Sequence, residues 1–292
     1  MKPAYKTKLG RAFHSSIEDF IDSTEFENLK GKVDLILTSP PYPLVTPKKY
    51  GNRIGDDYEK WLTSIFDSLK ELLSPRGSLV IEIGNAWDKG SPTMSTLPLS
   101  TLIRIKEDLG LNVCQQFIWN NPNKLPGPAT WVNIKRIRVK DSFTHIWWYS
   151  KTTNPKANNK RVLNPYSAGM NALLKRQSYN QGERPSGHNL GPGFLTENKG
   201  AIPSSVLTYS NSKETKEYRE WCRENDVPQH PARMPEKLAE FFIKFLTDKN
   251  SLVLDPFGGS NTTGRTAENL QRRWVTIERD HDYIIGSQGR FK

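Results

Sequence analysis

The sequence predicts an α/β protein whose mostly parallel sheet is built from both ends of the chain. Short apolar runs alternate with segments of helical periodicity over residues 1–151, and this alternation returns after Pro235. A Gly-rich loop from Asp255 to Gly264 directly follows an apolar run, which is typical of the turn between a buried strand and a helix. Strand–helix–strand units on both sides of an irregular middle favour a single sheet with helices against its faces.

The N-terminal half contains four predicted strands and two predicted helices. Strands are expected at 33–38, 78–84, 111–119 and 142–149, where apolar residues run together. The first of these runs stops at two prolines, which cannot continue a central strand. Helices are expected at 58–73 and 100–109, because apolar residues recur there every three or four positions; Gly110 ends the second helix.

The C-terminal half begins with a helix predicted from Pro235. Its apolar residues fall at i, i+3, i+4, i+7 and i+8, namely Leu238, Phe241, Phe242, Phe245 and Leu246. A buried strand over Leu252 to Asp255 runs into the Gly-rich loop, which is followed by a helix up to Leu270 and a strand over Trp274 to Glu278.

The middle of the chain, residues 152–211, has a different character. Lys, Arg, Asn, Gly, Pro and Ser dominate it, and only a helical fragment near 168–174 is predicted. An irregular segment of this length inside a compact domain indicates either a linker or a functional insertion with its own small fold. We therefore divide the chain into residues 1–151, 152–211 and 212–292.

Composition limits the class of protein. The 292 residues carry 42 Lys and Arg against 31 Asp and Glu, a formal net charge of +11, which favours a polyanionic partner such as nucleic acid. No apolar run is long enough for a transmembrane helix, and no secretory signal is visible. Cys114 and Cys222 form no CxxC motif and the five histidines are scattered, so we expect no disulfide framework, no metal site and a reducing cytosol.

The Gly-rich loop has the composition of a ligand site. Gly258 and Gly259 let the backbone approach a ligand, and residues 260–263 offer hydrogen-bond donors at a helix N-terminus. Glu278 ends the next strand 19 residues after Gly259, which matches the acid that binds ribose hydroxyls in nucleoside-binding α/β folds.

Three interpretations of this loop compete: an adenosyl-cofactor site, a phosphate-binding P-loop and a structural turn. The spacing Gly259-x4-Gly264-Arg265-Thr266 imitates the P-loop pattern. Arg265 stands where that pattern has a lysine, and arginine does not replace it freely.

A second loop, Ser39-Pro40-Pro41-Tyr42, follows the first predicted strand. The prolines fix the backbone and remove N–H donors, so the Ser39 hydroxyl and the Pro40 carbonyl are presented as acceptors beside the Tyr42 ring. Acceptors next to a stacking face suit an aromatic amine. A nucleobase with an exocyclic amino group fits, provided that it is flipped out of the duplex.

These two motifs, in this order, resemble the amino-group DNA methyltransferases that use S-adenosylmethionine, specifically the N4-cytosine branch. A (D/N/S)-P-P-(Y/F) loop holds the target base in that family, and its serine form is typical of N4-cytosine enzymes. The catalytic loop precedes the cofactor loop here, which is similar to the permuted β arrangement with a recognition insert between the halves. Stretches similar to the PvuII and SmaI type of modification methyltransferase occur at 119–126, 138–141, 147–148, 184–188 and 230–235.

The resemblance implies an S-adenosylmethionine-dependent methyltransferase fold and a role for each matching residue. Ser39, Pro40, Pro41 and Tyr42 are the implied catalytic residues, with Ser39 and the Pro40 carbonyl accepting from cytosine N4 and Tyr42 stacking on the ring. The implied cofactor-binding residues are Asp255, Phe257, Gly258, Gly259, Ser260, Asn261, Thr262, Thr263 and Glu278, together with Ala232 and Arg233 from the segment that closes over the methionine moiety. Relatives often carry an acid that can contact the cofactor where this chain has Ser16. We therefore do not include Ser16 among the expected cofactor contacts.

The same resemblance assigns the charge to DNA. Residues 1–151 and 212–292 become the catalytic and cofactor-binding halves of one domain, and 152–211 becomes the target-recognition region. Lys135, Arg136, Arg138, Lys140, Lys160, Arg161 and Arg184 are the expected DNA-binding residues. The expected protein is a cytoplasmic bacterial or archaeal enzyme that acts as a monomer on double-stranded DNA. It modifies a palindromic site, CCCGGG-like or CAGCTG-like, in a type II restriction–modification system whose endonuclease is not a bound partner.

Three alternatives stay open on the sequence. N6-adenine methylation uses a similar loop on the same fold, a P-loop ATPase would act on nucleic acid, and a catalytically silent protein would only bind DNA. C5-cytosine methylation needs a cysteine nucleophile, but Cys114 follows Val113 and Cys222 follows Trp221, without the Pro-Cys motif of those enzymes.

Overall fold

The computed structural model describes residues 1–42, 55–178, 191–211 and 216–292. Its strands are β1 (Tyr5–Lys6), β2 (Gly10–His14), β3 (Val33–Thr38), β4 (Leu73–Gly84), β5 (Ala86–Trp87), β6 (Met94–Ser95), β7 (Asn112–Asn120), β8 (Phe143–Ser150), β9 (Val206–Thr208), β10 (Leu252–Asp255) and β11 (Arg273–Glu278). Its α-helices are α1 (Ile17–Ile21), α2 (Thr24–Leu29), α3 (Gly55–Leu69), α4 (Leu97–Leu109), α5 (Ala168–Arg176), α6 (Lys216–Glu224), α7 (Glu236–Leu246), α8 (Thr262–Asn269) and α9 (His281–Gln288).

The chain divides into two compact units. The larger unit comprises Met1–Ala157 and Ser205–Lys292, and the smaller one is Asn158–Ser204. The smaller unit falls inside the 152–211 segment that the sequence marks as different. Its described part contains helix α5 and a bridge between Asn164 and Ala201. Its assignment to target recognition stays a prediction.

The larger unit contains the sheet predicted from both ends of the chain. Nine described strands follow the order β1-β2-β11-β10-β3-β4-β8-β7-β9. Strands β2, β11, β10, β3 and β4 are mutually parallel, and β8 is antiparallel to both of its neighbours. Strand β10 from the C-terminal half pairs with β3 from the N-terminal half, with Val253 opposite Leu35. The predicted α/β class and mostly parallel sheet are confirmed.

Helices cover both faces of this sheet. Trp148 and Tyr149 are consecutive on β8 and therefore point to opposite faces. The Tyr149 hydroxyl donates to the Leu102 carbonyl of α4, whereas the Trp148 ring packs edge-on against Phe245 of α7 with 5.3 Å between ring centroids. Helix α3 packs beside α4 through buried residues such as Leu62 and Phe66. Strand β10 is fully buried, and β3 is buried except at Asp34, so both strands lie between apolar layers.

Most predicted elements occur within a few residues of their expected bounds. Helix α3 begins at Gly55 and α4 at Leu97, three residues earlier than predicted in each case. The predicted starts, 58 and 100, mark where the apolar periodicity becomes clear, and the helices begin before that point. Strand β4 begins at Leu73, and the register with β3 shifts where 74–77 bulge out. The short elements β2, α1, α2, α6 and α9 had no prediction.

Strand β2 ends two residues before Ser16, the position where relatives often carry an acid. It pairs in parallel with β11, with His14 opposite Glu278, and so extends the sheet beyond the cofactor loop. Among the residues that the structure describes, no helix is long and apolar enough to cross a membrane.

Candidate active site

A cavity opens at the carboxyl ends of β3, β10 and β11. These strands are neighbours and parallel, so the loops that follow them meet at one edge of the sheet, where α/β proteins bind ligands. Every residue predicted to be catalytic or cofactor-binding lines this cavity except Asn261. Residues 216–292 and 1–42 therefore meet in one site, although they lie at opposite ends of the chain.

Ser39 and Tyr42 converge on a residue that the sequence analysis did not select, Glu82 of β4. The Ser39 hydroxyl donates to Glu82 Oε2 over 2.6 Å, and the Tyr42 hydroxyl donates to Oε1 over 2.5 Å. Strand β4 is parallel to β3 and adjacent to it, which brings the Glu82 side chain beside the loop that leaves β3. A charged residue in the middle of the apolar run Leu79 to Gly84 was the available signal for this site.

The Glu82 carboxyl is only 2% exposed. Burial raises its pKa, because the low-dielectric surroundings disfavour the charged form, and the hydrogen bonds from Ser39 and Tyr42 partly oppose that shift. A buried carboxylate with two donors and a raised pKa has the properties of a proton acceptor. The pKa of Tyr42 lies well above its usual value because of the same burial and the nearby Glu82 charge, so Tyr42 stays a hydrogen-bond donor.

The Tyr42 ring is held against the backbone at the end of β4. A Cβ added to Gly84 would lie 2.6 Å from Tyr42 Cε2, so only glycine leaves room for the ring at this point. This contact fixes the ring next to the Ser39–Glu82 pair.

Asp255 connects the catalytic and cofactor loops. Its Oδ1 accepts from the Thr38 hydroxyl over 2.8 Å and from the Phe257 amide over 3.2 Å. Thr38 immediately precedes Ser39, so a single buried carboxyl ties the ends of β3 and β10 together. Burial raises the pKa of Asp255 to about 6, and hydrogen bonds from Thr263 and Thr38 limit the rise.

The cofactor loop is closed by Glu278 at the end of β11. One carboxylate oxygen accepts from the Gly259 amide over 2.7 Å and the other from the Asp280 amide over 2.8 Å. Burial raises the pKa of Glu278, while these two backbone donors lower it. Each oxygen keeps a lone pair for a further donor, which suits the hydroxyls of a ribose.

Asn261 is the one predicted cofactor residue that does not line the cavity, and its role in cofactor binding stays a prediction. It adopts a left-handed conformation with φ of 56°, its Oδ1 accepts from the Gly264 amide, and its Nδ2 donates to the Tyr5 hydroxyl. The side chain is therefore fully used in capping helix α8 and in joining it to the N-terminus.

The P-loop interpretation is wrong. Arg265 faces away from the cavity, with its guanidinium carbon 5.9 Å from the centre of the Phe291 ring. The phosphate-binding cation that the P-loop pattern requires is therefore missing from this loop.

The C-terminus holds the cofactor loop through Arg290, another residue without a prediction. Its Nε donates to the Ser260 carbonyl over 2.5 Å and its Nη2 to the Ser260 hydroxyl over 2.9 Å. The same guanidinium lies 4.4 Å from the Tyr218 ring centre, and the Tyr218 hydroxyl accepts from the His230 amide. The His230 ring covers Gly259, so one buried arginine supports the loop from two sides.

The segment from His230 to Pro235 contributes Ala232 and Arg233 to the cavity, as predicted from the resemblance. Ser16, which stands in place of the relatives' acid, caps helix α1 and does not line the cavity. Glu18, two residues later, does line it, and its Oε1 accepts from Trp61 Nε1 over 2.8 Å.

The expected DNA-binding residues fall in separate parts of the chain. Lys135, Arg136, Arg138 and Lys140 lie on one exposed stretch of the larger unit, and Lys160 and Arg161 form an exposed single turn in the smaller unit. Arg184 and the 184–188 motif lie outside the described residues. The roles of all seven in DNA binding stay predictions.

Neither cysteine belongs to the cavity. Cys114 lies on β7, where its thiol faces the Asn112 carbonyl, and burial raises its pKa to about 11. Cys222 is buried in α6, behind Gly286. A thiolate nucleophile is therefore not available at the site.

Comparison with known proteins identifies the family. The family model described as DNA methylase matches residues 33–288. The chain belongs to this family of DNA methylases. Among curated relatives, the type II methyltransferase M.PvuII of Proteus hauseri is 40% identical over 292 residues, which cover 99% of this chain and 86% of that protein. The type II methyltransferase M.BglII of Bacillus subtilis is 26% identical over 86% of this chain and 61% of its own length.

Solved structures share the fold of this chain. The PvuII DNA methyltransferase (cytosine-N4-specific) superposes with a TM-score of 0.80 at 35% identity, covering all of this chain and 89% of that one. The M1.HpyAVI–SAM complex superposes with a TM-score of 0.59 at 21% identity, covering 97% and 100%, and shows the shared fold. The predicted family, methyltransferase fold and enzyme class are confirmed, and the protein is a DNA methyltransferase.

Proposed function

We propose that this DNA methylase transfers a methyl group from S-adenosylmethionine to N4 of cytosine in double-stranded DNA. The observation that carries the proposal is that Ser39 and Tyr42, which line the same cavity as the Gly-rich loop and Glu278, both donate to the buried Glu82 carboxyl. The name of the 35% identical solved structure, which specifies cytosine N4, supports the choice of base. M.PvuII is called a type II methyltransferase, and this supports a role in a restriction–modification system.

The cavity residues fit S-adenosylmethionine. Glu278 offers carboxylate lone pairs to ribose hydroxyls, and the loop from Phe257 to Thr263 offers backbone and hydroxyl groups to the amino-acid part. Trp61 and Phe257, with ring centroids 5.9 Å apart, provide an aromatic wall. When bound, the cofactor supplies a methyl group activated by a positively charged sulfur leaving group.

Ser39 and Glu82 manage the proton of the target amine. The N4 lone pair of cytosine is delocalised into its ring, so the amine becomes nucleophilic only as an N–H bond is polarised. The Ser39 hydroxyl donates to Glu82, so its oxygen lone pairs face outward to accept from N4–H. As N4 loses this proton, Ser39 Oγ takes it up and passes its own proton to Glu82 Oε2. The Tyr42 hydroxyl, bonded to Oε1, keeps Glu82 oriented for the transfer.

Alignment of the target amine with the methyl donor contributes further to the rate enhancement. The Asp255 bridge fixes the catalytic loop relative to the cofactor loop, so the amine and the methyl donor are held by parts of one rigid edge. Alignment of two reactants is worth about 7–11 kcal/mol in favourable cases. The Tyr42 ring offers a stacking face for the flipped base, and such stacking is worth about 1–3 kcal/mol.

Double-stranded DNA is the proposed macromolecular substrate, and the protein binds it as a monomer. The exposed cations of residues 135–140 lie on the unit that carries the catalytic loop. We assign residues 152–211, which include the compact unit Asn158–Ser204, to recognition of the target sequence. A cytoplasmic location in a bacterial or archaeal cell, and a cognate endonuclease that acts separately, complete the proposal.

The deciding experiment is transfer of a radiolabelled methyl group from S-adenosylmethionine to DNA, followed by nucleoside analysis. N4-methylcytosine is the expected product, and sequencing of the modified DNA then gives the recognition site. N6-methyladenine would replace the proposal by the adenine alternative, and a lack of methylated DNA would overturn both. Ser39→Ala should lower kcat about 10²-fold or more, whereas Ser68→Ala, on the exposed face of α3, should leave it unchanged.

The contribution of the cations at 135–140 to DNA binding can be tested by measuring DNA affinity at several salt concentrations. A Lys135→Ala and Arg136→Ala double variant should weaken DNA binding to a similar extent for all sequences. It should also reduce the slope of log affinity against log salt by up to about 2, since each phosphate contact contributes about 0.9. An unchanged slope would remove these two residues from the DNA interface.

A further inference from the structure

The stretch Ile134 to Lys140 exposes aliphatic side chains between cations. Residues 133–140 are all exposed, and the order is aliphatic, two cations, aliphatic, cation, aliphatic, cation. Ile134 is 75% exposed, Ile137 50% and Val139 87%. Large aliphatic side chains with such exposure in a charged loop favour a partner that takes them up.

This stretch is fixed to the protein by its own cations. The Lys135 ammonium lies 4.7 Å from the Trp131 ring centre, Arg138 Nε donates to the Pro92 carbonyl, and Lys140 Nζ donates to the Pro122 carbonyl. No carboxylate in the described part of the chain pairs with any cation from 135 to 140. The positive charge of this stretch is therefore not compensated by a carboxylate within the described residues, and the aliphatic side chains between the cations are exposed.

The stretch lies beside the catalytic loop. Asp141, which follows it, accepts from Asn85 Nδ2 over 2.8 Å, and Asn85 follows Gly84, the residue against which the Tyr42 ring packs. Val139 precedes Asp141 by two residues, a distance of at most about 7 Å along the chain. A duplex that delivers a base to Tyr42 would therefore lie near this stretch.

We propose that Val139, supported by Ile137, enters the base stack of duplex DNA next to the extruded cytosine. The inference rests on the proposed function. Duplex DNA is the occupant because the cations at 135, 136, 138 and 140 match phosphates on either side of a base step, and because the stretch borders the loop that receives the base. Aliphatic side chains are the groups that proteins insert between base steps, where they replace part of the stacking that the duplex loses.

If Val139 and Ile137 act as this wedge in the base stack, their loss causes a methylation defect that depends on the cost of extruding the base. A Val139→Ala and Ile137→Ala double variant should methylate a matched duplex about 10-fold more slowly than the wild type in single-turnover experiments. The duplex carries the site first mapped on wild-type DNA. Opposite an abasic position the target base is already unpaired and flips easily. On that duplex the rate of the variant should return to within about 2-fold of the wild type.

A matched control and a conservative variant isolate the wedge. Ile103→Ala with Val113→Ala removes the same two residue types from exposed sites on α4 and β7, at 46% and 39% exposure, and should retain the wild-type rate on both duplexes. Val139→Leu keeps an aliphatic group at position 139 and should methylate the matched duplex at the wild-type rate. 2-Aminopurine in place of the target base should fluoresce less with the double alanine variant than with the wild type.

Two results would overturn the wedge while the proposed function stands. One is a wild-type rate for the double alanine variant on the matched duplex. The other is an equal loss on the matched and abasic duplexes, which would indicate a defect in binding or folding. A wild-type protein that methylates no DNA would instead refute the proposed function, and the wedge with it.

Discussion

The catalytic loop and the cofactor loop leave adjacent parallel strands, but they are held in different ways. The cofactor loop is held mainly by groups from the C-terminal half of the chain: the Gly259 amide donates to Glu278, Arg290 donates to Ser260, and Asn261 caps the helix that follows. The catalytic loop depends on Glu82, 43 residues from Ser39. The cofactor loop is therefore held by contacts to its backbone and to Ser260, whereas the catalytic loop also gains a candidate proton acceptor from a neighbouring strand.

This difference separates two kinds of substitution. Changes around the cofactor loop should alter affinity for S-adenosylmethionine, because they alter the shape of a binding surface. Changes around the catalytic loop should alter kcat, because they remove a proton acceptor or its orientation. Asp255 joins the two loops, and its substitution tests how this connection contributes to the free energy of unfolding.

The largest effect is expected for Glu82→Gln. Glutamine keeps the size of the side chain and can still accept from Ser39, but it cannot take up a proton, so kcat should fall about 10²–10³-fold while the affinity for S-adenosylmethionine stays unchanged. The measurement is single-turnover methylation together with calorimetric titration of the cofactor.

The pH profile and a control sharpen this prediction. Because Glu82 has to be ionised to accept a proton, wild-type kcat should fall as the pH drops through its raised pKa, and this acid limb should disappear in Glu82→Gln. Glu71→Gln, at the other end of β4 in a surface ion pair with Lys30, should change neither rate nor profile. A fully active Glu82→Gln would refute the assignment of Glu82 as the proton acceptor.

Asp255→Asn should change how stability depends on pH. The folded-state pKa is about 6 and the usual value is 3.8, so between these values the folded protein retains a proton that the unfolded chain has lost. This group therefore favours folding below about pH 4, and its contribution is lost as the pH rises through about 6.

The variant keeps an acceptor for Thr38 and Phe257 but has no proton to lose. The unfolding free energy of Asp255→Asn relative to wild type should rise with pH across this window, by at most about 1.4 kcal/mol per pH unit. Urea denaturation at several pH values measures it. A difference that is flat or falls with pH would show that burial does not hold a proton on Asp255.

Arg290→Gln tests the cofactor loop with a smaller effect. Loss of the guanidinium leaves the Ser260 carbonyl and hydroxyl without their donors and removes the contact to Tyr218. We expect the Kd for S-adenosylmethionine to rise about 10-fold, since a hydrogen bond from a charged group contributes about 1.5–3 kcal/mol. The kcat at saturating cofactor should change little.

Two further variants distinguish positioning from general destabilisation. Arg290→Lys restores the charge without the planar fork and should recover only part of the affinity. Arg273→Gln removes an exposed arginine that bonds to the Asn250 carbonyl at the other end of β11, and it should bind the cofactor normally. A drop in kcat with unchanged affinity in Arg290→Gln would contradict the division between the two loops.

The sequence predicted those parts of the molecule that local pattern determines. Apolar periodicity located α3, α4, α7 and the central strands, and the Gly-rich and Ser-Pro-Pro-Tyr motifs located both loops. Parallel strand–helix–strand units were enough to place the two loops at one edge, because consecutive parallel strands share their direction.

Long-range contacts account for what was missed. Glu82 looks like an isolated charge in a strand until β3 and β4 are paired, and Arg290 is one of many arginines until the C-terminal turn meets Ser260. Asn261 is the converse case, since the motif that predicts a ligand contact also contains a side chain that caps its own helix. Pairing and packing decide these roles, and neither is visible in a window of ten residues.

Replacement of both cysteines should have the smallest effect. The proposed mechanism includes no step for a thiol, because it assigns proton transfer to Ser39 and Glu82, and neither Cys114 nor Cys222 lines the cavity. Cys114→Ala should methylate DNA at the wild-type rate, and its thiol, with a pKa near 11, is protonated at neutral pH in any case. Cys222→Ala should also retain kcat, with a modest loss of thermal stability because its side chain is buried. The measurement is methylation at saturating DNA and cofactor, together with thermal unfolding; loss of activity in a folded Cys114→Ala variant would favour a covalent cysteine mechanism over direct transfer to the amine.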